Sequence, residues 1–221
     1  MRSLVAACIA ILWTFGLSAA HAQDRKDSRE HVAGEFDYYV LALSWTPNWC
    51  AQEGDKRKDD RCRKGGGTGW GVHGLWPQYE SRWPEFCRTA HRDPSRQQTA
   101  AMADFMGAPG LAWHQWKKHG RCSGLSAADY FATTERAFRA VALPPVFDQL
   151  ERDIRLPARV VEQAFLERNP QLQADMLTVT CRSQHIQEVR ICLTRDLQPR
   201  RCAPDTIRDC RLDDAQMTPQ R

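Results

Sequence analysis

The sequence predicts a single α+β domain, on three observations. Stretches rich in aromatic and aliphatic residues with strand-like alternation lie towards both ends, at 35–45, 70–76, 176–181 and 188–193. The segment between them, 96–168, carries helical periodicity instead. No internal repeat and no linker divides the chain. Strands at both ends with helices between fit α+β rather than a repeating βαβ unit. About 200 residues follow the leader, enough for one domain with a real core.

The leader comes first. Arg2 is a short positive start, Leu4 to Leu17 is mostly apolar, and Ala20-His21-Ala22 is a small-x-small cleavage signal. The apolar run is too short to span a bilayer, so residues 1–22 are expected to be a secretory signal peptide. No membrane association is expected once it is removed. Residues 23–34 are charged and aperiodic, which predicts a flexible N-terminus. The formal charge of +4 suits an anionic partner without demanding one.

Glu35 to Trp45 reads as a strand, with Phe36, Tyr38 and Val40 on one face. From Pro47 to Gly69 the chain is polar and basic, which predicts a loop. Gly65-Gly66-Gly67-Thr68 lacks the Gly-Lys-Ser/Thr ending of a nucleotide loop and reads as a turn. Trp70 to Trp76 is a second strand, ended by Pro77, with Gly71 and His73 sharing a face. Arg96 to Met106 predicts a helix stopped by Gly107-Ala108-Pro109-Gly110. Leu111 to Gly120 predicts the next, with Gly120 as its C-cap and Trp113 and Trp116 anchoring it to the core. Ser126 caps a third, whose stripe is Tyr130, Phe131, Thr134, Phe138 and Val141. Pro144-Pro145 breaks it, and shorter helices are expected near Val146–Arg152 and Ala158–Arg168. Met176 to Cys181 and Glu188 to Leu193 are strands. Residues 211–221 read as a polar tail.

Of nine cysteines, Cys8 leaves with the leader. The eight that remain are Cys50, Cys62, Cys87, Cys122, Cys181, Cys192, Cys202 and Cys210. An even number in an exported chain predicts four disulfides, with 105 connectivities open. No pair has the close spacing favoured by zinc.

The chemistry concentrates in Trp113 to Gly120. Gln115, Lys118 and His119 are three and four positions apart, so they share a helix face, with His114 beside it. His114 and His119 are five apart and lack the glutamate of the His-Glu-x-x-His zinc motif, and a lysine beside them opposes a dication. No metal and no cofactor are expected. His73 stands between two glycines, which let a ligand approach. Trp76 is either core or a stacking surface for a base. Two histidines and a lysine brought together supply a proton acceptor, a proton donor and an anion clamp. Set on either side of an RNA phosphate, one histidine takes the 2′-hydroxyl proton and the other gives one to the departing 5′-oxygen. Lys118 offsets the charge that gathers on phosphorus. DNA has no 2′-hydroxyl and is not expected to be cleaved.

Phe36 to Trp45, His73-Gly-Leu-Trp-Pro77 and Trp113 to Cys122 together resemble the ribonuclease T2 family of secreted, transferase-type acid ribonucleases. The resemblance extends to Cys181 and to Glu188–Cys192, and covers roughly residues 35–210. It implies an α+β fold with a central antiparallel sheet flanked by helices. The implied activity is low-specificity cleavage of single-stranded RNA through a 2′,3′-cyclic phosphate, in the periplasm or outside the cell. A monomer is expected. It implies His119 as general base, His73 as general acid, Lys118 as transition-state stabiliser, and His114 and Trp76 as substrate contacts. The family's disulfides imply Cys87–Cys122, Cys181–Cys210 and Cys192–Cys202, leaving Cys50 with Cys62. One departure stands out, since the family usually has glutamate where this chain has Gln115. An amide hydrogen-bonds but does no acid–base work, so a slower enzyme or a shifted pH optimum is expected. The alternative is a catalytically weakened RNA-binding protein on the same fold.

Overall fold

A computed structural model describes residues 31–66 and 69–221. The expected signal peptide at 1–22, most of the flexible stretch at 23–34, and Gly67 and Thr68 of the glycine run lie outside the described residues.

The described residues form a sheet of six strands and six short to medium α-helices. In chain order these are β1 (Tyr38–Trp45), α1 (Thr46–Trp49), β2 (Trp70–Gln78), α2 (Arg96–Ala101), α3 (Ala103–Met106) and α4 (Pro109–Lys118). Then follow α5 (Ala127–Arg139), β3 (Ile154–Leu156), α6 (Ala158–Arg168), β4 (Leu177–Arg182), β5 (His185–Leu193) and β6 (Ala215–Met217). The strand order is β2-β1-β5-β6-β3, with β4 also pairing to β5. The pairs β1–β2, β1–β5, β4–β5 and β3–β6 are antiparallel. A single parallel pairing, His185 with Gln216, joins β5 to β6.

Alternation along the strands divides the sheet into two faces. Leu41, Leu43, Val72, Leu75, Val179, Val189 and Ile191 enter the main core with Trp116, Tyr130 and Phe165 from the helices. The opposite face carries His73, Trp76, Glu188, Arg190 and Thr180, and it is here that polar chemistry can gather. Tyr130 of α5 donates to the carbonyl of Leu75 at 2.8 Å, tying that helix to β2. Ser126 caps α5 by accepting from the Asp129 N–H at 3.2 Å, as expected.

Several boundaries differ from expectation, each for a local reason. Pro77 does not end β2, which runs to Gln78. The strand lies at the sheet edge, where a residue without an N–H costs no ladder bond. The expected helix 96–106 is two helices that meet at Met102, where ψ turns to −8°. Pro109 opens α4 rather than stopping a helix, because at its start the missing N–H has no intrahelical partner to lose. Gly120 is not the C-cap of α4; His119 is. Gly120 sits in the following 3-10 turn, where a Cβ would come within 2.6 Å of the Trp116 ring and 2.9 Å of the Tyr130 ring. Trp116 is fully buried, but Trp113 is 39% exposed and is not part of the core.

The stretch 47–69, read as loop, contains α1 and a π-turn at Cys50–Gly54. Pro145–Gln149 is a 3-10 turn where a helix was expected. Strands β3 and β6 went unforeseen, and β6 lies within 211–221, so those residues join the sheet rather than trail as a tail. Buried Asn48 holds β6 in place. Its amide donates to the carbonyls of Ile186 and Gln216, and its oxygen accepts from the Thr218 N–H, all at 2.8 Å. Among the described residues four disulfides form: Cys87–Cys122, Cys181–Cys210 and Cys192–Cys202, which the family resemblance implied, and Cys50–Cys62, the pair that it left over.

Candidate active site

The site is built from β2, from α4 and its cap, and from β5. On β2 the register slips opposite β1. Val72 pairs with Leu43 and Gly74 with Ala42, which leaves His73 as the extra residue of a bulge. A bulge re-aims the side chain it carries. It turns His73 into a cavity of about 790 Å³, which Trp76, His114, Gln115, Lys118 and His119 also line. All six residues read from the sequence as site candidates therefore meet in one place. His73 and His114 also border a second cavity, of about 560 Å³, on the side of α1.

Trp76 separates the two histidines of interest. His73 meets its ring edge-on, with centroids 5.2 Å apart at 80°, and His119 stacks on it at 5.3 Å and 29°. The indole N–H donates to Gln115 Oε1 at 2.8 Å. An indole nitrogen only donates, so this bond fixes the amide with its oxygen towards Trp76 and its NH₂ turned away. The packing depends on Gly74, because a Cβ there would collide with both Gln115 Oε1 and Trp76 Nε1.

The environments of the two histidines differ in kind. His119 is 6% exposed, and its Nδ1 has no hydrogen-bond partner. Burial pushes the imidazole down to about 3, helped by the charges of Lys118, His73 and His114. It is therefore a neutral base over the ordinary pH range. His114 is also lowered, by burial first and then by Lys118 and His73. His73 is half-buried, and its Nδ1 lies 2.5 Å from Glu188 Oε1. Glu188 is almost fully buried on β5. Burial by itself would raise its carboxyl, but the hydrogen bond and charge of His73, then Arg190, outweigh that and hold it well below the usual carboxylate range. Arg190 reaches the other carboxylate oxygen at 2.7 and 2.8 Å and lies over the Trp76 ring at 5.2 Å. Lys118 stands 3.5 Å from Glu85.

Glu188 and Arg190 were not singled out from the sequence. The available signal was two charges at alternate positions in an otherwise apolar strand, Glu188-Val-Arg-Ile, where both strand faces are covered. Among the described residues no group of three or more His, Cys, Asp or Glu could hold a metal ion. No helix among them is long and apolar enough to cross a membrane. The arrangement offers a neutral base, a second imidazole held by a carboxylate, an ammonium and an oriented amide. Together these can move two protons across a bound anion.

Comparison with known proteins follows the same line. The family model described as the Ribonuclease T2 family matches residues 36–202. A protein from Aeromonas hydrophila named "Ribonuclease" is 44% identical over 98 residues, 44% of this chain and 43% of that one. A "Probable ribonuclease" from Haemophilus influenzae is 34% identical over 139 residues, 56% of this chain and 49% of that one. The chain thus spans about half the length of these curated relatives. Among solved structures, that of RNase NT in complex with 5′-AMP superposes with a TM-score of 0.60 at 18% identity, covering 84% of this chain and 99% of that one. At that identity the likeness speaks for the fold.

Proposed function

The chain belongs to the Ribonuclease T2 family, and on that premise we propose that it is an exported endoribonuclease that cleaves single-stranded RNA with low base specificity and without a metal. The observation that carries this reading is the contrast between buried, neutral His119 and carboxylate-held His73 on either side of Trp76. The names of the relatives support the substrate class.

In the proposed reaction His119 takes the proton from a ribose 2′-hydroxyl, and the 2′-oxygen attacks phosphorus. His73, protonated on Nε2, gives that proton to the 5′-oxygen as the P–O5′ bond breaks. The products are a 2′,3′-cyclic phosphate and a 5′-hydroxyl. In a second stage water attacks the cyclic phosphate with the histidine roles reversed, giving a 3′-phosphate. Each proton transfer contributes typically ~10²–10⁴-fold. Lys118 and the outward NH₂ of Gln115 donate to the phosphoryl oxygens as charge builds there. His114 and Trp76 contact substrate. The leader at 1–22 and the four disulfides support export to the periplasm or the medium, where disulfides persist.

The test is incubation of purified protein with single-stranded RNA in EDTA, with analysis of the new ends. The expected result is 2′,3′-cyclic phosphate ends, loss of cleavage in His119→Ala, and an intact 2′-deoxy substrate. Equal cleavage by His119→Ala would overturn the mechanism. RNA binding without cleavage would favour the weakened, binding-only reading that Gln115 raises.

A further inference from the structure

We propose that Glu188 is the positioning residue of His73: from β5 its carboxylate holds the imidazole with the proton on Nδ1 and Nε2 turned to the substrate, and Arg190 holds the carboxylate.

The first support is the division of the carboxylate. Oε2 is taken by Arg190, through its Nε at 2.8 Å and a terminal nitrogen at 2.7 Å, and Oε1 is taken by His73 Nδ1 at 2.5 Å. An ionised carboxylate only accepts, so the Nδ1 atom facing it must carry the hydrogen. Nε2 is then the nitrogen free to exchange a proton with a ligand. Free neutral imidazole mostly places its proton on the other nitrogen, so the orientation is imposed.

Burial is the second support. Glu188 is 1% exposed, and a charge taken out of water needs partners on both oxygens. Arg190 alone would leave one oxygen open, and His73 closes the set. Third, the edge strand that carries His73 bulges at that residue, while Ser44 and Glu188 beyond it pair in register. The bulge therefore swings the ring over β1 towards a residue two strands away. Arg190 also covers Trp76, which stacks on His119, so one guanidinium braces the surroundings of both histidines.

The charged and titratable groups facing His73 are Glu188 and Arg190 from β5, and His114, Lys118 and His119 from α4 and its cap, with Asp205, Arg208, Asp209 and Arg211 of the C-terminal segment lining the same cavity. Across the second cavity stand Glu53, Arg57, Asp59, Arg61 and Arg182. Of the carboxylates among these, Glu188 is the one hydrogen-bonded to the ring.

This inference rests on the RNA-cleaving reading, and the experiment separates the two. Wild-type cleavage in EDTA is measured first, and its absence sinks the reading itself. Glu188→Gln then offers one acceptor oxygen to two donors and removes the charge. The expected outcome is a kcat loss of at least ~10-fold with KM changed less than ~3-fold, because the residue acts through the proton donor. A roughly 10⁴-fold loss accompanies the same change behind the histidine of a Ser-His-Asp triad. The alkaline limb of the pH–rate profile, where His73 must hold its proton, should move to lower pH by about one unit or more. Glu188→Asp keeps the charge and should restore the limb. An unchanged kcat and limb in Glu188→Gln overturn the proposal. If that variant does not fold, ¹⁵N NMR of the wild-type imidazoles decides. A neutral His73 protonated on Nδ1 upholds it, and one protonated on Nε2 overturns it.

Discussion

Acid should destabilise this fold through His119, and the size of the effect follows from the ring's surroundings. The side chain is buried with Nδ1 unpartnered, and its titration moves from the ordinary 6.5 down to about 3. In the unfolded chain the same ring titrates near its ordinary value. Between those two pH values the unfolded state binds one proton more than the native state. Stability therefore falls as the pH falls through the window from 6.5 to about 3. At ~1.4 kcal/mol per pH unit, the whole window is worth up to roughly 5 kcal/mol. A domain holds only about 5–15 kcal/mol in total, so one buried imidazole accounts for a large share of the loss in acid. Glu188 adds to the same trend at lower pH. Its carboxyl is depressed, so its contribution is present above the unfolded value of 4.5 and lost as pH falls towards its folded one.

The assay is urea denaturation of the wild type and His119→Asn at pH 7, 6, 5 and 4. Asparagine cannot titrate, so the variant's stability should depend less on pH. The difference between the two proteins should change by about 3 kcal/mol from pH 7 to pH 4, in the direction that costs the wild type. Parallel curves would show that His119 titrates alike in both states, and the reasoning from burial would be refuted.

Three further outcomes are expected. Gln115→Glu sets a carboxylate one helical turn before His119, so the acid limb of kcat/KM should rise by about one pH unit, as read from a pH series on a short RNA. Trp76→Phe keeps an aromatic ring, though a smaller one, and removes the N–H that Gln115 Oε1 accepts from, leaving a buried acceptor open; chemical denaturation should show a loss of about 1–3 kcal/mol. Replacing both Cys87 and Cys122 by serine opens a loop of 35 residues and should cost about 4 kcal/mol, read from the urea midpoint. Because Phe86 N–H donates to the Lys118 carbonyl beside that disulfide, kcat on RNA should fall as well.

The parts of the fold legible in the sequence were those whose signal is local and repeated. The alternation of Leu41 and Leu43 marks β1, and that of Leu177 and Val179 marks β4. Ser126 announces α5 by a single side-chain bond. The three-residue strands β3 and β6 have no such signal. They are too short to show a period, and β6 exists because Asn48, far upstream, satisfies the backbone around it. The cluster on α4 was legible for the same reason as the helices, since a spacing of three and four residues fixes a shared face. Trp113 stands three positions before buried Trp116, so spacing alone puts the two on one side of α4; Trp113 is nonetheless 39% exposed because what packs over that side is set by distant chain, which local spacing does not show. Glu188 lay beyond local reading altogether, since its partner is 115 residues away and reaches it only through a bulge and an intervening strand.

That same distance explains why the loss of an acid at Gln115 need not decide which histidine does what. Acid and base are assigned where two titratable groups sit in unlike environments. His119 has an aromatic stack, no partner on Nδ1 and three cationic or imidazole neighbours. Burial with Nδ1 unpartnered and the neighbouring charges disfavour its charged form, and none of these is Gln115. His73 has a buried carboxylate on Nδ1, delivered by β5 and braced by Arg190. The Gln115 side chain reaches both environments through its bond to Trp76, the ring between the two histidines, while its backbone carbonyl accepts from the His119 N–H at 2.9 Å. Replacing it should therefore alter how fast charge on phosphorus is met, while the direction of proton flow stays with the strand.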